Sequence, residues 1–77
     1  MATVDVIELI GESKVGFEDA VKSAVDEARK TVRDITGVHV ESFSAVVKND
    51  QIAAYRANVM VAFVYHPDYA KKGKGKH

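Results

Sequence analysis

Between Ile52 and Tyr65 the side chains alternate without a break. Odd positions hold Ala53, Tyr55, Ala57, Val59, Val61, Phe63 and Tyr65, and even positions hold Ile52, Ala54, Arg56, Asn58, Met60, Ala62 and Val64. A period of two is the signature of a β-strand, here with one wholly apolar face and one mixed face. Thirteen residue steps of strand reach roughly 43 Å. Whatever covers both faces over that length constrains everything else in the chain.

The remaining elements are short of that reach. Residues 4–10, Val-Asp-Val-Ile-Glu-Leu-Ile, are rich in β-branched side chains and read as a strand ending at Gly11. Ser13 follows in a turn and suits a helix N-cap. From Val15 to Asp34 the period changes: Phe17, Ala20, Val21, Ala24, Ala28, Val32 and Ile35 recur at three- and four-residue steps. That spacing predicts an amphipathic helix of some five turns, whose three alanines let it lie close against a sheet. Glu18 and Asp19 near its start and Lys30 and Arg33 near its end suit the helix dipole, and Gly37 is the expected stop. Residues 38–47 read as a second strand, Lys48-Asn49-Asp50-Gln51 as a tight turn, and Pro67 closes the third strand.

The order is therefore β-α-β-β, an α+β fold. The helix returns the chain so that the second strand parallels the first, and the hairpin makes the third antiparallel to both. Placing the third strand in the centre makes every neighbouring pair antiparallel and keeps the crossover right-handed. The prediction is a three-stranded antiparallel sheet of order 1-3-2 packed on one helix. A helix of 19 residues spans roughly 28 Å, so it leaves part of the sheet bare. The mixed face also carries Met60, Ala62 and Val64, too apolar to stay wet. Both excesses call for further copies of the chain.

Size and composition point the same way. The 77 residues make one domain, read as 1–66, followed by a basic tail, 67–77. A domain this small buries a modest share of its surface and gains stability from disulfides, a metal or association. With no cysteine in the sequence, disulfides and thiolate metal sites are excluded, and association is the default. The 11 basic and 11 acidic side chains cancel, but unevenly. Lys71, Lys72, Lys74 and Lys76 stand in the tail against Asp68, so residues 1–65 are net acidic. An acidic body with a basic, low-complexity tail, expected to be disordered, is not a specific nucleic-acid binder. Residues 1–10 do not form a signal peptide, and no apolar run approaches the roughly 20 residues that cross a bilayer. The reading is cytoplasmic, with no membrane partner.

Candidate chemistry is sparse. His39, His66 and His77 lack metal spacing and read as solvated, and no triad is placed by sequence. Gly11 and Gly16 within GESKVG lack the Walker spacing. The acids Asp5, Glu8, Glu41 and Asp50 are scattered without a calcium-loop pattern, although an oligomer axis can gather single carboxylates around a hard cation such as calcium. Arg56, on the mixed face of the long strand, needs a partner. An inter-subunit salt bridge is one solution; a ligand carboxylate, phosphate or aromatic plane is another. The expectation is a binding protein and not an enzyme.

Three segments together resemble dodecins: Val6–Ser13 (VIELIGES), the alanine-lined helix running into Ala28-Arg-Lys-Thr-Val32, and Tyr55–Phe63 (YRANVMVAF). The resemblance spans residues 3–65. It implies a β-α-β-β subunit of a hollow homododecamer that binds flavins such as riboflavin or FMN, for storage or buffering and without catalysis. Flavin-binding dodecins place a tryptophan just after the helix, stacked on the isoalloxazine, and a glutamine after the central-strand tyrosine. Those ligand-binding positions fall on Gly37 and Arg56. Glycine has no ring, and a stacking contact of this kind is worth roughly 1–3 kcal/mol. Arginine can cover an aromatic plane or pair with a phosphate, but it only donates. The alternatives are a flavin-less dodecin that holds calcium or another small anionic ligand, and a purely structural shell.

Overall fold

Alternation over residues 51–64 builds the central strand of the sheet. The computed structural model describes residues 3–64, as β1 (Val4–Ser13), α1 (Phe17–Ala28), β2 (Ile35–Lys48) and β3 (Gln51–Val64). β3 pairs antiparallel with both neighbours, giving the expected order β1-β3-β2. Asn49 and Asp50 both take positive φ, 53° and 63°, which makes the two-residue turn whose twist matches the flanking strands. The expected basic tail, together with His66, Pro67 and His77, lies outside the described residues.

The core is thin and made of small side chains. Ala57, Val59 and Val61 on β3 are buried beneath Ala20, Ala24 and Ala28 of α1, with Ile7, Leu9, Val21, Val32, Ile35 and Val40 around them. The alanine stripe lets the helix backbone approach the sheet, and β1 answers with Gly11. A Cβ there would fall inside the van der Waals shell of the Ala20 carbonyl oxygen and lie 2.9 Å from the Ala24 amide nitrogen. Gly11 is thus an interior residue of β1, where side-chain absence is what the packing requires.

Several boundaries depart from expectation. The helix has 12 residues, not five turns, because the Ala28 carbonyl is taken by the amides of Thr31 and Val32, both at 3.0 Å, and by the Thr31 hydroxyl at 3.2 Å. Asp34, at φ 58°, then turns the chain into β2, and its carbonyl accepts from the Val64 amide at 3.2 Å. Val32 and Ile35 still reach the core, but from the connection, which is why they kept a helical spacing in the sequence. Lys30 and Arg33 consequently lie beyond the helix. Gly37 does not stop a helix; it lies within β2, with φ outside the positive region. Ser13 does not cap the helix either. The cap is Gly16, and the Ser13 Oγ accepts from the Val15 and Gly16 amides (2.9 and 3.4 Å) while donating to Asp19 Oδ2 at 2.7 Å.

Shape follows from these lengths. A 12-residue helix spans about 18 Å, less than half of a 14-residue strand, which reaches about 46 Å. The chain is a slab of 50 × 28 × 13 Å with a radius of gyration of 15.2 Å, against about 11 Å for a compact domain of this size. Val59 and Val61 are the largest fully buried side chains among the described residues. Among the described residues no helix is long and apolar enough to cross a membrane.

Candidate functional site

The sheet face turned away from α1 carries both residues singled out for ligand binding. Register organises it into rows, read from β1 through β3 to β2: Val6–Ala62–Gly37, Glu8–Met60–His39, Ile10–Asn58–Ser42 and Glu12–Arg56–Ser44. The first row is small and apolar, and a Cβ added at Gly37 meets nothing within 4 Å. The last row is polar. Arg56 Nε donates to Glu12 Oε1 at 2.9 Å, with both side chains about half exposed. This pair is formed within one chain, so the expected inter-subunit bridge is not needed to satisfy Arg56.

Gly37 and Arg56 share this face but not a site within one chain. Gly37 pairs with Ala62, six residues along β3 from Arg56, and six residues of strand are about 20 Å. Within one chain a small ligand at one of these positions leaves the other untouched. The residues present do not supply the ring on which a flavin stacks, since position 37 is open space and the sequence contains no tryptophan.

On the helix side, the hairpin runs past α1 and carries the aromatic side chains. Phe17 packs on Phe43 and on Tyr55, each with ring centroids 4.9 Å apart. Phe43 remains half exposed, and Ile10 on the opposite face is 65% exposed. His39 is solvated as expected, with Nε2 3.7 Å from Glu41 Oε2. Among the described residues, no three histidine or carboxylate side chains come together as a metal group.

Two residues of the face were not legible from local sequence. The sequence pattern puts Glu12 in the turn after Gly11, and its pairing with Arg56 follows only because β1 continues through Gly11 to Ser13. Asn58 is one more polar residue of a mixed face by sequence, yet its Oδ1 is buried and among the described residues no hydrogen-bond partner reaches it. Antiparallel register between residues 4–13 and 55–64 was the signal that would have found the first.

An order 1-3-2 antiparallel sheet over one alanine-lined helix defines a class of small β-α-β-β proteins of α+β fold. The family model for dodecins matches residues 3–66, and the chain belongs to the dodecin family. Solved structures agree. A Thermus thermophilus dodecin variant superposes with a TM-score of 0.81 at 26% identity, over 86% of this chain and 98% of that one. The dodecin of Streptomyces coelicolor gives 0.81 at 26% identity, over 84% and 93%. A calcium dodecin of Mycobacterium tuberculosis, described as calcium-chelating with a novel calcium-binding site, gives 0.74 at 32% identity, over 84% and 93%. No curated protein sequence matches this chain.

Proposed function

We propose that this chain is a non-catalytic, self-assembling dodecin that stores or buffers a flavin such as riboflavin or FMN in the cytoplasm. The observation that carries the reading is the bare sheet face of a dodecin fold, with Gly37 and Arg56 in its first and last rows. Val4, Val6, Ile10, Val15, Phe17, Val38, Phe43, Val47 and Ile52 are all exposed, apolar surface that association would cover. In this reading Arg56 supplies the polar contact to the ligand and position 37 supplies room without stacking. Affinity for a flavin is then weaker than a stacked site provides.

Flavin fluorescence tests the proposal. Purified protein titrated into riboflavin or FMN should quench the emission and carry the ligand through size exclusion at the assembly's mass. Unquenched emission at protein concentrations in the hundred-micromolar range removes flavin storage. The second reading, a calcium-holding dodecin, is favoured by the 32% identity to the mycobacterial calcium dodecin. A calcium-dependent rise in melting temperature, absent with magnesium and reversed by chelator, would favour it over the first.

A further inference from the structure

We infer that Glu12 and Arg56 bind a ligand edge as one unit, the guanidinium donating to a carbonyl and the carboxylate accepting from the N–H beside it. The site then takes the uncharged imide edge of a flavin ring and disfavours a phosphate. This rests on the flavin reading above and adds Glu12 as the residue that sets which flavin is held.

Register brings the two together. Glu12 and Arg56 are Cα partners across β1 and β3, in the last row of the bare face. Arg56 Nε donates to Glu12 Oε1 at 2.9 Å, and among the described residues no other hydrogen bond uses either side chain. That bond orients the fork and leaves the arginine Nη donors and the Glu12 Oε2 acceptor for a third group. Both side chains are half exposed, so a ligand reaches them without rearrangement. On the other side of Arg56 stands Ser44, which is small and neutral.

Donor and acceptor side by side match a planar edge that alternates C=O and N–H, as the imide edge of an isoalloxazine does. An arginine alone offers donors only; the carboxylate beside it supplies the acceptor. Both bonds have a charged partner, which places them in the stronger class.

Charge decides against phosphate. A phosphomonoester carries about −1.5 to −2 at neutral pH and presents acceptor oxygens. The rows of this face hold Glu8 and Glu12 against Arg56, with Glu41 beside His39 on β2. The one guanidinium of these rows is already engaged by Glu12. A second copy of the same face repeats this balance and does not reverse it.

The test titrates riboflavin, FMN, lumiflavin and 3-methyllumiflavin into the full chain and follows flavin emission. The methyl group of the last removes the imide N–H and leaves the ring otherwise alike. At low ionic strength the wild type should hold riboflavin at least about fivefold tighter than FMN. It should hold lumiflavin about tenfold tighter than 3-methyllumiflavin. In 1 M salt, where the screening length is about 3 Å, the first difference should shrink and the second persist. Glu12→Gln removes the charge and should tighten FMN about threefold or more. Glu12→Ala should abolish the discrimination against the methylated ring, with melting little changed because the ion pair is half exposed. Equal affinity of the wild type for lumiflavin and 3-methyllumiflavin overturns the inference, and so does FMN held as tightly as riboflavin; neither result needs a variant. Discrimination that survives Glu12→Ala also overturns it, assigning the imide contact elsewhere. Absence of binding by all four flavins overturns flavin storage as well, a result distinct from binding without discrimination.

Discussion

Arg56 and Glu12 face each other across the β1–β3 ladder, the guanidinium Nε 2.9 Å from the carboxylate Oε1. The pair lies on the open side of the sheet, and half exposure screens its attraction. Such pairs contribute between nothing and about 1 kcal/mol. Arg56→Gln should therefore leave stability within about 1 kcal/mol of wild type in urea titration. A larger loss would show that Arg56 is held by more than Glu12, as in an assembled interface.

That tolerance allows a direct test of the ligand positions. Gly37→Trp together with Arg56→Gln should raise riboflavin affinity at least tenfold, since a stacking plane worth about 1–3 kcal/mol is added. Gly37 has no positive φ and its Cβ direction is open, so the tryptophan enters without backbone strain. Gly37→Trp alone should give part of the gain and Arg56→Gln little. A folded double variant that leaves riboflavin emission unquenched would remove position 37 from any flavin site.

Assembly is tested by mass. The thin core and bare faces call for association, and membership of the dodecin family makes the expected particle a dodecamer, far above the 8.4 kDa of one chain. Met60→Asp should dissociate or unfold it by placing an uncompensated charge in the covered face. Light scattering that reports a monomer at micromolar concentration would refute the oligomer.

Gly11→Ala should be among the most damaging single-methyl changes in the chain. The added carbon meets backbone atoms of Ala20 and Ala24, which cannot swing aside as a side chain would. Overpacking of this kind costs about 1–3 kcal/mol, with backbone contacts at the upper end. Chemical denaturation measures it; a neutral result would mean that α1 can slide along the sheet.

Ser13→Ala removes the acceptor of the Val15 and Gly16 amides and the donor to Asp19. Ser13 is buried, so the amides lose a partner that water replaces poorly, at a cost of about 1–3 kcal/mol. Melting should fall by several degrees, and Ser13→Thr should restore part of it by keeping the hydroxyl.

What the sequence alone determined is what local periodicity encodes. The run from Ile52 to Tyr65 declared a long strand with one apolar face, and Ala57, Val59 and Val61 on that face are the buried residues. Ala20, Ala24 and Ala28 declared close helix–sheet packing, and connection rules then allowed one strand order. These features were legible because each depends on which side chains a helix or strand puts on one side. The end of α1 was not, because Val32 and Ile35 face the same core from a non-helical connection and so extend the helical pattern. Gly11 looked like a strand end until the helix backbone was seen to occupy the space beside it. The Glu12–Arg56 pair and the unpartnered Asn58 amide depend on register between strands more than forty residues apart, which no local pattern specifies. Tertiary structure alone decided that Gly37 and Arg56 stand at separate ends of one face, because distance along a paired strand, and not kinship of motif, sets which side chains can share a ligand.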